Sequence, residues 1–239
     1  MLDFPKQLPH GSLQQILPDI FFVKGLIRID VAETHEFSRN MTVIRDGDAV
    51  TLVNTIRLDD AGLAALDALG TVQHIVKLGA YHGRDDAYYL DRYDAELWAP
   101  EGMTYSRGEA TSRTMRDGEQ GPVSDSRSFV FNTPRAPEAI LNLSRHGGVL
   151  VTCDSFQSAS GPDEYFNEVS AESKRRLGFF GRPVIGPGWR KAAEPQQPDF
   201  ERLLNLKFRH MLTGHGEPIL EDAYQSMRAA IPNESTATR

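Results

Sequence analysis

Met211-Leu212-Thr213-Gly214-His215-Gly216-Glu217-Pro218-Ile219 sets one imidazole between two glycines. Glycine lets the backbone approach its neighbours closely, so this turn presents the ring instead of packing it away. Two earlier stretches share the design. His82-Gly83-Arg84-Asp85-Asp86 follows the apolar run 73–78, and Cys153-Asp154 ends the run 147–152. Three polar clusters therefore stand where expected strands stop, and sites are commonly assembled on such loops.

The remaining elements follow outward from these clusters. Residues 20–29 and 41–44 read as strands, and Asp46-Gly47-Asp48 predicts a hairpin turn into a strand over 49–53. Asp59 precedes Leu63, Leu66 and Leu69 at helical spacing, which predicts a helix over 59–69 with Gly70 as its C-cap. Tyr89, Leu90 and Tyr93 share one face of a helix over 86–93, capped by Asp85 or Asp86, and 95–99 is a short strand. The polar stretch 101–128 predicts one or two short strands, and 139–143 and 148–154 a strand pair. Residues 158–198 are broken by Gly161-Pro162, Gly178, Gly181, Pro183, Gly186-Pro187-Gly188 and Pro195. This reads as an insertion over the core, a lid or oligomer contact, with a helix over 168–176. Phe200, Leu203, Leu204, Leu206 and Phe208 predict an amphipathic helix over 199–210. A helix over 222–230 closes the chain, and 232–239 reads as a frayed tail. Alternating elements of this kind indicate an α/β or α+β chain.

In this order (strand, His82/Asp86, strand, Asp154, Gly-His215-Gly) the chain resembles the metallo-β-lactamase superfamily over most of its length. Val53-Asn54-Thr55 stands where that family has an apolar-Asp-Thr strand end, and Phe131-Asn132-Thr133-Pro134 resembles its Gly-His-Thr-Pro turn. The resemblance implies a four-layer αββα sandwich, with two mixed sheets face to face, helices outside and the site at one sheet edge. It also has gaps. Against the family motif His-x-His-x-Asp-His, His82 and Asp86 match the first histidine and the aspartate, while Arg84, Ala87 and, in the later turn, Asn132 replace ligands. The family site built from three histidines keeps only His82. The other keeps Asp86, Asp154 and His215.

The resemblance therefore implies one divalent ion at most (zinc, iron or manganese), or none. The expected ligands are His82, Asp86, Asp154 and His215, with Asp85 as the alternative to Asp86 if the loop shifts by one residue. The implied function is hydrolysis of a small ester, thioester, lactone or phosphoester. The alternative is a catalytically silent member that binds a ligand or protein partner through a metal-free pocket. Arg84 bears on the choice, since a guanidinium and a cation repel at close range. Either it points to solvent, or it pairs with Asp86 or Asp154 in place of the metal's charge.

Composition narrows the partners. Within 239 residues, 33 acidic groups outnumber 26 basic ones for a net charge of −7, which disfavours nucleic acid and anionic membrane. The length suits one domain over 1–239. Cys153 is the only cysteine, so no intrachain disulfide forms, and at a strand end it reads as a small buried residue before it reads as a nucleophile. Residues 1–15 lack the apolar core of a secretory leader and no apolar run approaches the roughly 20 residues of a span, so a cytoplasmic protein is expected. Gly181 and Gly186 have P-loop spacing, but Pro187-Gly188 stand where Lys and Ser/Thr are required. Lys174, Arg175, Arg176, Arg182, Arg190 and Lys191 around Phe179, Phe180 and Trp189 read as lid packing, not a nucleic-acid platform. His10, His35, His74, His146 and His210 receive no site role. The expected partner is a small molecule, and a homo-oligomer is left open.

Overall fold

The computed structural model describes residues 4–232, so the tail expected over 232–239 lies outside the described residues apart from Pro232. The chain opens with β1 Gln14–Leu17, β2 Ile20–Asp30, β3 Thr34–Asp46, β4 Ala49–Val53, α1 Asp60–Asp67, β5 Thr71–Val76, α2 Asp86–Tyr93, β6 Glu96–Pro100 and β7 Arg113–Met115. The seven strands form one sheet in sequence order, antiparallel up to β4 and parallel from β4 to β7. The second half supplies β8 Ser126–Val130, β9 Ala139–Leu143, β10 Val149–Val151, β11 Phe156–Ala159, α3 Glu168–Leu177, β12 Gly181–Ile185, α4 Pro187–Ala193, α5 Gln197–Leu203, β13 His210–Leu212 and α6 Ala223–Ala230. A second sheet has the order β13-β10-β9-β8, with β10 and β13 parallel and the other pairs antiparallel.

Successive side chains of a strand point to opposite faces, and here both faces of each sheet are covered. In β4 and β5, Leu52 and Ile75 pack on α1 and α2 through Leu63, Leu66 and Tyr89, while Val53 and Val76 turn to the space between the sheets. In β9 and β10, Leu141 and Val151 enter that same space, while Ile140 and Leu150 meet Trp189, Phe200, Leu203 and Met227 from α4, α5 and α6. Three hydrophobic layers thus separate helices, sheet, sheet and helices, which is the expected αββα sandwich. Burial on both faces is why these strands read as unbroken apolar runs in the sequence.

Some elements differ from the expectation. The helix expected over 199–210 ends at Leu203, because His210–Leu212 must be extended to pair with β10. The cap of α1 is Ala68, whereas Gly70 lies beyond it in a strained approach to Asp48. The stretch 158–198 holds more than a loop and one helix: β12 pairs with β11 as a separate two-stranded sheet, and Ile185, Trp189 and Ala193 pack into the core on the second sheet. No helix among the described residues is long and apolar enough to cross a membrane.

Buried polar residues join the two sheets at one end. Asn40 of β3 donates from its backbone to Gly214 O at 2.9 Å and from Nδ2 to Thr213 O and Gly216 O at 2.9 and 2.8 Å. Asn54, just past β4, donates to Thr152 O at 3.1 Å. Gly216 has φ +92°, and a Cβ there would overlap the Ser158 carbonyl. Each buried carbonyl left without a donor costs about 1–3 kcal/mol. Asn40→Ala strands the two carbonyls held by Nδ2 and should therefore lower the melting temperature by roughly 4–24 °C, at about 2–4 °C per kcal/mol for a domain of this size. A thermal melt within about 2 °C of wild type would refute the clamp.

Candidate functional site

Strand ends of both sheets meet at this edge. His82 arrives on the turn after β5, where Gly79 passes so close to β10's continuation that a Cβ would meet Cys153 Sγ at 2.8 Å and Glu138 Oε2 at 3.0 Å. Asp154 follows β10, and His215 follows β13. Their ligand atoms converge: His82 Nε2 lies 3.2 Å from His215 Nε2 and 3.6 Å from Asp154 Oδ2, and His215 Nε2 lies 3.3 Å from Asp154 Oδ1. Residues 133 positions apart in the chain thus share one point.

The proton arrangement gives the convergence its meaning. The Ser38 carbonyl only accepts, so the 2.8 Å contact to His215 Nδ1 places the ring proton there. Burial pushes the His215 imidazole toward its neutral form, against the pull of Asp154. Its Nε2 then carries a lone pair. Burial also opposes ionisation of Asp154, but the two imidazoles outweigh it and hold the carboxyl well below the usual carboxylate range. An anionic oxygen and an imidazole lone pair thus face one centre, with His82 Nε2 as a third donor. A tetrahedron with bonds of about 2.0–2.1 Å has edges of roughly 3.3 Å, which these separations match. The three residues fit a divalent ion with an open fourth position. Cys153 Sγ, 3.9 Å from Asp154, belongs to the same group, the ligand atoms of His82, Cys153 and Asp154 lying within 4.8 Å of one another, and its thiol is pushed up by burial and by the charge of Asp154.

Of the residues singled out by sequence, His82, Asp154 and His215 come together, and the paired aspartates are engaged elsewhere. Asp86 Oδ1 accepts from Thr55 Oγ1 at 2.6 Å, its other oxygen is buried without a hydrogen-bond partner, and the Lys77 ammonium donates to the His82 carbonyl. Burial pushes the Asp86 carboxyl up, against the Thr55 hydroxyl and the Lys77 charge. Asp85 is buried between two guanidiniums: it pairs with Arg39 and with Arg84 at 2.6 Å, and accepts from the Arg57 amide at 3.0 Å. Arg84 therefore pairs with neither Asp86 nor Asp154, and its second arm reaches Lys6 O at 2.8 Å. Asn132 is exposed and its amide caps Asp199, so it does not face the cluster.

The second-sheet residue that does is Glu138, fully buried just before β9, where it accepts from the Ser155 amide. Sequence reasoning missed it. The available signal was an acidic residue between Pro137 and the apolar run 139–143, the same strand-end placement as Asp154. Burial and the nearby charge of Asp154 push the Glu138 carboxyl well above its ordinary value, so it is held neutral.

The trio lines a cavity of about 290 Å³, whose walls include Phe37, Phe179 and Trp189. Lys174 from α3 and Arg39 also line it. Residues of α3 and α4 in the stretch 158–198 thus cover the edge that carries the trio.

A neutral Glu138 makes a specific expectation. Glu138→Gln retains an acceptor for Ser155 and should leave the urea midpoint nearly unchanged, while Glu138→Ala strands the amide and should cost roughly 1–3 kcal/mol. Equal destabilisation by both substitutions would show that Glu138 is ionised in the fold.

No protein-family model and no curated protein matches the chain in sequence. Solved structures do. A metallo-β-lactamase from Hirschia baltica superposes with a TM-score of 0.58 and 14% identity over 95% of this chain and 100% of its own. A metallo-β-lactamase from Pseudomonas aeruginosa in a mono-zinc form gives 0.55 and 13% over 95% of this chain and 99% of its own. A flavo-diiron protein variant from Thermotoga maritima gives 0.61 and 16% over 94% of this chain and 62% of its own. With sandwich, strand-end cluster and Gly-His-Gly loop all in place, the chain has the metallo-β-lactamase fold.

Proposed function

We propose that the chain is a metal-dependent hydrolase of a small ester, thioester, lactone or phosphoester that holds one divalent ion between His82, Asp154 and His215. The observation that carries this reading is the convergence of donor atoms at 3.2–3.6 Å inside a lined cavity. Without a metal ion, a proton on His215 Nε2 would have to fill the 3.3 Å contact with Asp154. A bound ion supplies polarisation of a carbonyl or phosphoryl oxygen and lowers the pKa of water. Zinc, iron and manganese all suit mixed nitrogen and oxygen donors, and structures of this fold carry zinc or are named for iron.

The chain's own residues do the positioning. Ser38 fixes the His215 tautomer, the Asn40 clamp fixes its loop, and Phe37, Phe179 and Trp189 exclude bulk water. A small-molecule substrate fits a cavity near the lower end of ligand sites, roughly 300–1,000 Å³. A cytoplasmic setting accords with the single, buried, reduced cysteine.

A second reading, a silent member that binds its ligand without metal, draws on the paired aspartates. Arg39 and Arg84 already balance Asp85, and Thr55 holds Asp86, leaving His82, Cys153, Asp154 and His215 where two metal sites would need more. Elemental analysis of protein purified without chelator separates the two. The hydrolase reading expects about one ion per chain, as in three-ligand catalytic sites. His215→Ala and Asp154→Asn should each lower that content at least about tenfold and abolish hydrolysis of chromogenic esters, lactones and phosphoesters. Metal-free protein, or metal unaffected by both substitutions, sinks it.

A further inference from the structure

We infer that the ligand of this cavity is an amphiphilic anion, whose charged head meets Lys174 and whose apolar chain lies along Phe37, Phe179 and the rim. The inference rests on the same cavity as the hydrolase reading and names its ligand class.

Lys174 is the starting point. Its Nζ lies 3.9 Å from the Phe37 ring centroid and 4.9 Å from that of Phe179, and it lines the cavity. Among the described residues it has no hydrogen-bonding or carboxylate partner; its other influence is the field of Asp154. Burial lowers its pKa and that field opposes the change. Every other buried or half-buried cation around the site is already matched: Arg39 and Arg84 by Asp85, Lys77 by the His82 carbonyl beside Asp86. Lys174 alone offers an ammonium with three donors and only ring faces for company. Two further cavity residues carry buried N–H donors without an acceptor, Arg39 Nε and Trp189 Nε1. Against these three donors the cavity leaves one buried acceptor open, Gln157 Oε1, so a ligand bearing acceptors and negative charge complements the excess.

The apolar half of the inference comes from the surface. Five large hydrophobic residues are exposed among the described residues: Ile29, Val31, Tyr81, Leu177 and Leu220. Ile29, Tyr81 and Leu177 line this cavity, at 43, 57 and 40% exposure, and Val31 stands two residues from Ile29 at the tip of the β2–β3 hairpin. They come from three separate segments of the chain, so their clustering is made by the fold and not by local sequence. Exposed apolar groups gathered around a pocket mark the contact surface of an apolar ligand. A purely polar anion would leave them in water, and a neutral lipid would leave Lys174 unpartnered.

The test uses the full chain, as isolated and after chelator treatment, and follows binding of octanoate, octyl phosphate, octanol and octylammonium by calorimetry and tryptophan fluorescence. At least one anion should bind roughly tenfold to a hundredfold more tightly than octanol, the worth of a charge-assisted hydrogen bond. Octanoate and octyl phosphate distinguish a carboxylate head from a phosphate head. Lys174→Met should remove the advantage and leave octanol affinity within about twofold; Lys174→Gln repeats the test should the methionine variant fail to fold. Leu177→Ser should weaken anion and alcohol alike. Octanol or octylammonium binding as tightly as both anions would overturn the inference, as would an anion advantage that survives loss of Lys174. An anion preference in protein that, as isolated without chelator, holds no metal and hydrolyses nothing would refute only the hydrolase reading. Metal-dependent hydrolysis indifferent to substrate charge, with no anion preference, would refute only this one.

Discussion

The site depends on how β3 satisfies its own polar residues. Ser38, Arg39 and Asn40 are almost completely buried in the middle of β3, and each must find a partner across a gap between elements. Ser38 offers its carbonyl to His215, Arg39 takes Asp85 and the Thr55 carbonyl, and Asn40 takes three carbonyls of the Gly-His-Gly loop. A single strand therefore orients an imidazole, anchors a carboxylate and joins the sheets. The price of leaving any of these unmade is what keeps the loop in one conformation.

The depleted motif takes a definite form in space. Where Arg84 and Ala87 stand in the sequence, the paired aspartates are engaged by residues outside the open cluster, Asp85 by two guanidiniums and Asp86 by the Thr55 hydroxyl. Buried carboxylates without such partners would be protonated or destabilising. What remains open is the smaller set, His82, Asp154 and His215, facing a cavity whose unmatched cation is Lys174. Within the five consecutive residues 82–86, an engaged acidic pair thus stands beside a histidine that joins the open cluster.

Much of this was legible beforehand. Both faces of each sheet are covered, so the apolar runs at 73–78 and 147–152 announced themselves, and the polar clusters after them marked the edge where the sheets end. Gly-His215-Gly and Asp154 stood out because they interrupt that pattern abruptly. Glu138 did not, since one carboxylate behind a proline resembles any surface turn until the fold buries it beside Cys153. The helix expected over 199–210 failed at its second half for the same reason: an amphipathic pattern describes which residues are buried, and pairing with β10 overrode the local preference.

The sequence by itself determined the alternation of strands and helices and the positions along the chain at which polar chemistry appears, because burial periodicity and strand length are local properties; the layer order was implied only by the family resemblance. Which carboxylates join the cluster was a tertiary decision. Asp85 and Asp86 differ by one residue from a ligand position, and a choice at that scale is made by the cations nearby, Arg39 from β3, Lys77 from the end of β5 and Arg84 beside them, all brought within reach only by the packed sandwich. The same holds for Lys174: its charge is written in the sequence, but its lack of a partner exists only where α3 crosses the site.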